Sequence, residues 1–197
     1  MEENEINGHS YVDLGLSVMW ATCNVGASSP EDYGDYFAWG ETSPKSSYDE
    51  DNSKTYENSS YNHDIGGDIS TDAARANWGG SWRLPTLGEF RELRNNCKWT
   101  VATLYGTWGC KVVSKKNGNS IFLPAAGCRY GASFGDAGGY GRYWSSTPIG
   151  GHFRHAHRLY FDRSKRGLHR NRRHLGLTVR PVCPVCDART DTENEEK

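Results

Sequence analysis

Between residues 11 and 25, Val12, Leu14, Leu16, Val18 and Trp20 occupy every second position, with small or polar residues between them. A period of two puts one set of side chains on a single face of a pleated strand, so this stretch is predicted to form the first strand or two. Residues 32–41 carry Tyr33, Tyr36, Phe37 and Trp39 and read as an aromatic core segment. Residues 43–68 are rich in Ser, Asn, Asp and Gly and read as a long surface loop. Two short helices are predicted next. The first covers 72–78, led by Thr71 or Asp72 as its cap, and the second covers 86–95, where Thr86 and Glu89 stand at capping-box spacing behind Pro85.

After Trp99 the pattern turns β-like. The apolar stretch around Cys110, Val112 and Val113 is followed by Lys116-Asn117-Gly118-Asn119 and then by Ile121, Phe122 and Leu123. This is a hairpin, with Asn-Gly supplying the positive φ of a tight turn. Residues 127–141 are glycine-rich and aromatic, and 143–147 alternate as a strand. Ala156, Leu159 and Phe161 anchor a further strand, and 177–182 are expected to close the domain as the last one. Elements of this kind define an α+β protein of small twisted antiparallel sheets, two short helices and much loop.

A chain of 197 residues with 36% hydrophobic residues supports one substantial core. The expected organisation is an N-terminal extension over 1–10, one domain over 11–183, and a disordered acidic tail over 184–197, where nothing larger than Ala188 and Val185 is apolar. No run of about 18 apolar residues occurs, so no membrane insertion is predicted, and the N-terminus shows no signal-peptide pattern.

The net charge of −1 conceals an asymmetry. Residues 149–175 hold Arg154, Arg158, Arg163, Lys165, Arg166, Arg170, Arg172 and Arg173 against the single acid Asp162, so the remainder of the chain is acidic. His152, His155, His157, His169 and His174 lie in the same stretch, which is expected to gain charge as the pH falls through roughly 6.5. A charge run is commonly just a solvated face; the density of this one also fits a binding surface. The six cysteines match no small secreted disulfide framework, and the lone Cys183-Pro-Val-Cys186 supplies two of the four ligands that a structural zinc requires. No metal or cofactor is predicted, and whether Cys183 and Cys186 pair stays open.

Several motifs occur in series: Tyr11-Val-Asp-Leu-Gly-Leu-Ser-Val, Trp20-Ala-Thr-Cys-Asn-Val-Gly, Trp82-Arg-Leu-Pro-Thr, Leu123-Pro-Ala-Ala-Gly, Tyr143-Trp-Ser-Ser-Thr and Val179-Arg-Pro-Val. Together they resemble the C-type-lectin-like variable proteins of diversity-generating retroelements of the Bacteroidetes and phage type, and the related Fibrobacter-type paralogous domains. The resemblance covers roughly 10–182. It implies a C-type-lectin-like fold with a variable region over about 128–175, used for calcium-independent recognition of a protein or glycan at a cell surface, on a cell or a virion. In that family, template adenines of AAC-like codons are exchanged to give NNC-type codons, which cannot encode Lys, Glu, Gln, Met or Trp. Across 149–175 only Lys165 belongs to that excluded set, where ordinary composition would give roughly five.

The candidate ligand-binding residues are therefore His152, Phe153, Arg154, His155, His157, Arg158, Tyr160, Asp162, His169, Arg170, Asn171, Arg172 and His174, with Tyr130, Asp136, Tyr140 and Arg142 upstream. Lys165 and Arg173 fit the frame better and are set aside. Arg158, Tyr160 and Asp162 alternate with Leu159 and Phe161, which on a strand puts them opposite the core pair. Tyr and Phe offer low-entropy contact area, Arg a planar multi-donor, and Asp, Asn and His adaptable polar partners, as in a paratope. The present letters favour an acidic protein or glycan. Nucleic-acid binding by the basic stripe is the alternative, though no nucleic-acid motif is present. A thiol enzyme similar to the formylglycine-generating family is a further alternative, but no Ser/His/Asp or His/Glu arrangement of recognisable spacing occurs, so no enzyme is predicted. Calcium would need more carboxylate and amide oxygens than Asp162 and Asn171 supply.

Overall fold

A computed structural model describes residues 4–185. In chain order the elements are β1 (Glu5–Ile6), β2 (His9–Val12), β3 (Val18–Ala21), α1 (Ala73–Trp78), α2 (Leu87–Asn96), β4 (Cys97–Leu104), β5 (Thr107–Ser114), β6 (Ser120–Pro124), β7 (Cys128–Tyr130), β8 (Ser133–Gly135), β9 (Gly141–Pro148), β10 (His155–Phe161), β11 (Arg166–Arg172) and β12 (Val182–Pro184). They form four small sheets, in the orders β1-β2-β3-β12, β4-β5-β6, β7-β8 and β11-β10-β9. Every named strand pair is antiparallel, and the architecture is α+β with abundant loop.

Both helices begin where their caps dictate. The Asp72 side chain accepts from Ala74 and Arg75 at the start of α1. Thr86 and Glu89 close a reciprocal capping box on α2, which satisfies donors that a helix start otherwise leaves orphaned. Glu89 also takes a fork from Arg83, with Nη1 at 2.9 Å and Nη2 at 2.5 Å, so the Trp82-Arg-Leu-Pro-Thr motif locks the entry to the helix.

Three expectations need correction, and one strand, β4, was not foreseen. Residues 4–10 are no loose extension: β1 and the first half of β2 lie there, and Ile6 O accepts the buried Trp82 indole at 2.9 Å. The 43–68 segment carries Tyr48, Thr55 and Ile65 fully buried, so a polar composition hides three anchors. The hairpin of β5 and β6 stands as expected, but β4 precedes it in the same sheet, joined by Tyr105 and Gly106 at φ of 43° and 87°, the positive pair that a tight hairpin turn of type I′ demands. Finally, 177–182 do not form one strand. Leu177 bridges Phe37 and Thr178 bridges Tyr143 in isolation, and the closing strand is β12, which pairs with β3 and runs to Pro184, one residue past the expected domain limit. Residues 186–197, with Cys186, lie outside the described residues.

Two main apolar clusters sit either side of the central strands. One gathers Trp39, Trp82, Trp144 and Ala156; the other gathers Trp20, Phe90, Tyr143, Leu159 and Phe161. Indoles of the first cluster are satisfied through the backbone, Trp39 Nε1 donating to Ser145 O and Trp144 Nε1 to Phe37 O, each at 2.8 Å, whereas Trp20 Nε1 in the second is buried without a hydrogen-bond partner. Arg180 is also fully buried, its Nε on Asn24 Oδ1 at 2.8 Å and its Nη1 on Ala21 O and Thr22 O at 3.1 and 2.7 Å. The recurring motifs of the sequence are thus the residues that hold the core together.

Candidate functional site

The basic segment folds into the β10–β11 hairpin and the loop before it. Asp162 builds the turn. Its Oδ1 accepts Ser164 N at 2.7 Å, Ser164 Oγ at 2.9 Å and Lys165 N at 2.7 Å, while Oδ2 accepts the Tyr160 hydroxyl at 2.7 Å. The Tyr160 hydroxyl first, and then the turn amides, hold this carboxyl well below the usual range. Both its oxygens are engaged, so Asp162 shapes the hairpin rather than offering itself to a ligand.

Register then divides the candidates, because directly paired residues in an antiparallel sheet share a face. Arg158 pairs with His169, and Tyr160 with Gly167 and Arg142; Ala156 pairs with Asn171. That face carries Arg142, Arg158, Tyr160, His169 and Asn171, with Ala156 sealed at one end by the first core cluster. On the opposite face His155 pairs with Arg172 and His157 with Arg170, while Leu159 and Phe161 enter the second cluster. The alternation expected for Arg158 and Tyr160 is present, yet its consequence is two surfaces rather than one patch.

On the first surface Tyr140 stacks on Tyr160 with centroids 5.8 Å apart, His169 meets Tyr160 edge-on at 5.4 Å, and the Arg158 guanidinium lies 5.1 Å from the Tyr160 ring centre. Arg142 is tied down by Asp136 at 2.6 Å and by the Cys128 sulfur. A cleft of about 750 Å³ opens here, bounded also by Arg94 and Asn95 of α2 and by Lys165 and Arg166. On the second side, His152, Phe153, Arg154 and His155 border a smaller cavity of about 480 Å³ with Glu57. Tyr130 lies apart, exposed on the two-stranded sheet.

Much of the positive charge is already answered from elsewhere in the chain. Arg154 pairs with Glu57, and Arg172 Nη1 binds Glu50 Oε1 at 2.7 Å. Glu50 also accepts the Tyr56 hydroxyl at 2.9 Å, and that bond is the main reason its carboxyl sits low. These two acids come from the polar 43–68 segment and were missed from sequence, where nothing marks a glutamate as the partner of an arginine some hundred residues away. Arg94 and Asn95 were missed too, with only their place at the end of α2 to hint at them, and Arg166, counted in the basic run, was not carried into the candidate set.

His174 does not belong to the displayed set. It is buried, edge-on to Tyr56 at 5.0 Å. Arg173 is frame as well: it is buried, with Nε on His155 O at 3.1 Å, Nη1 on Thr55 O at 3.2 Å and its guanidinium 4.3 Å from the Trp39 ring. The expected charging of the histidines near pH 6.5 also needs correction for three of them. Burial lowers the pKa of His155, His157 and His174; nearby arginines add to this, Arg170 and Arg172 for His155 and Arg91 for His157, whereas at His174 Glu50 opposes the shift more than Arg172 adds to it.

Among the described residues no cluster of three His, Cys, Asp or Glu side chains could hold a metal, and no helix is long and apolar enough to cross a membrane. The buried thiols of Cys97 and Cys110 are pushed up to about 11, mainly by desolvation. The site defines a mixed α+β protein with a two-sided, arginine- and histidine-bearing hairpin. No known family, curated protein or solved structure matches the chain.

Proposed function

We propose that this chain is a calcium-independent ligand-recognition domain of C-type-lectin-like type, whose β10–β11 hairpin and preceding loop carry side chains exchanged by a diversity-generating retroelement. Its ligand is an acidic protein or glycan at a cell surface, met from a cell or a virion, and it needs neither cofactor nor catalysis. The observation that supports this is the separation of frame from display. Trp39, Trp82, Tyr143, Trp144, Arg173 and Arg180 are buried and hydrogen-bonded, whereas Arg154, His169, Arg170 and Arg172 project from the 149–175 segment without entering the core. Positions of the second kind can change chemistry at little cost in stability, since exposed substitutions are usually within about 0.5 kcal/mol. Aromatic and arginine side chains on such a frame are the usual anchors of protein recognition.

A glycan and surface-protein array probed with the wild type and with an Arg154→Ala, Arg170→Ala, Arg172→Ala variant tests the reading. Acidic ligands bound by the wild type and lost or at least tenfold weaker with the folded variant are expected. Equal binding by both would refute this choice of surface.

A further inference from the structure

The cleft beside Tyr160 concentrates positive charge that no ion pair of the described residues engages, although Asp162 stands close behind Tyr160, Ser164 and Lys165 in the hairpin turn. Arg94, Arg158, Lys165 and Arg166 border it together with His169, and no carboxylate lines it. The ion pairs of the described residues engage Arg83, Arg142, Arg154, Arg172, Lys45 and His174, and none of those four cations. Arg158 is the unusual member. Its Nε and Nη1 are buried with no hydrogen-bond partner, although a guanidinium has five donors and an unmet buried donor is costly. Its neighbour Arg142 carries the same charge but has Asp136. Burial, and then Arg142, lower the Arg158 pKa to about 10, which leaves it charged at neutral pH.

We infer that this cleft is an oxyanion site centred on Arg158, and that it takes the sulfate or carboxylate of an acidic saccharide. With Nε and Nη1 buried and unmet, nothing inside the protein neutralises the guanidinium, and its charge favours an oxyanion at the cleft-facing Nη2, for which charge-assisted bonds are about twice as strong as neutral ones. The volume, about 750 Å³, lies in the range of small-molecule sites. The lining chooses the carrier of the charge. It has no aliphatic side chain to anchor a peptide. Tyr160 is already engaged by Tyr140, His169 and Arg158, so its ring is crowded against a nucleobase. The Asn95 side-chain NH2, whose Oδ1 accepts Arg94 Nε at 3.2 Å, and the lone pairs of Ser164 Oγ, whose proton goes to Asp162 Oδ1, are polar partners of the sort sugar hydroxyls use. The inference rests on the recognition reading only for its biological use; the chemistry of the cleft stands by itself.

Calorimetry of the whole chain with a sulfated disaccharide, its desulfated counterpart and a uronic-acid disaccharide tests it, alongside thermal melts in sodium sulfate and sodium chloride at matched ionic strength. The sulfated or the uronic sugar is expected to bind, showing which oxyanion is preferred, with about tenfold or greater weakening in Arg158→Gln, a smaller loss in Arg158→Lys, and none in Lys98→Ala, an exposed lysine of β4 outside both surfaces. Sulfate is expected to raise the wild-type Tm above its chloride value, and Arg158→Gln to abolish that difference while melting no lower than wild type in chloride, because it removes an unpaired buried charge beside Arg142. Equal binding of the desulfated sugar, an unchanged sulfate effect in Arg158→Gln, or Arg158-dependent binding of only an oligonucleotide or an acidic peptide would each overturn the inference. Array ligands lost through Arg154 and Arg170 but indifferent to Arg158→Gln would sink the cleft and leave the recognition reading standing. An Arg158-dependent sulfate effect with no array ligand would do the reverse.

Discussion

Arg173→Ala removes a guanidinium that ties three separate segments together: it donates to His155 O at the start of β10 and to Thr55 O in the 43–68 segment, and it covers the Trp39 ring. The substitution takes a donor from His155 O, at a cost of about 1–3 kcal/mol, and one from Thr55 O, which keeps the Asn58 amide at 3.3 Å; it also opens a void over the indole. Relief of a buried charge, whose pKa burial pushes down to about 10, offsets part of this. A net destabilisation of about 3 kcal/mol follows, measurable as a lower urea midpoint at unchanged slope. Hydrogen exchange should localise the damage: the Glu57 amide, bonded to Phe153 O at 3.0 Å, and the residue-173 amide, bonded to Arg154 O at 2.9 Å, lose protection first. Arg170→Ala, on the same hairpin but exposed, serves as the control and should stay within about 0.5 kcal/mol. A change of less than about 0.5 kcal/mol in Arg173→Ala, or an equally large one in Arg170→Ala, would refute the division of this segment into frame and display.

Two other outcomes are expected. His155, His157 and His174 have folded pKa values below the ordinary 6.5, so the unfolded chain binds more protons as the pH falls through that value; their contribution to stability is present above about 6.5 and is lost on acidification, and urea midpoints that fail to drop between pH 7 and 5.5 would contradict this. Gly141→Ala should destabilise by about 1–3 kcal/mol, because a Cβ there would fall 2.1 Å from the buried Phe161 ring, whereas at Gly167 the obstacle is the exposed His169 ring, which can swing aside; equal urea midpoints for the two variants would count against the packing described.

What sequence revealed and what it concealed follow from the range of the interactions. Caps and tight turns are local, so Thr86 with Glu89 and Asn117 with Gly118 announce α2 and the β5–β6 hairpin directly. The buried Tyr48, Thr55 and Ile65 stand singly among polar residues and show no period. Strand β4 hides for a related reason: its outer positions are exposed, so it lacks the apolar face that marked its neighbours. The candidate site was legible as a segment, because charge and codon-compatible letters cluster along the chain. Its partition into two surfaces was not, since that depends on which residues of β9 and β11 stand opposite β10. Nor was the pairing of Arg154 and Arg172 with Glu57 and Glu50, which only the folded chain brings together.

The most direct test of the proposed function is to sequence sibling copies of this gene that lie beside a reverse transcriptase and a near-identical template repeat. Differences between copies are predicted to fall on NNC-type codons at displayed positions such as Arg154, Tyr160, His169, Arg170 and Asn171, with the buried Leu159, Arg173 and Arg180 unchanged. A constant 149–175 segment, or changes spread evenly through the frame, would contradict the account.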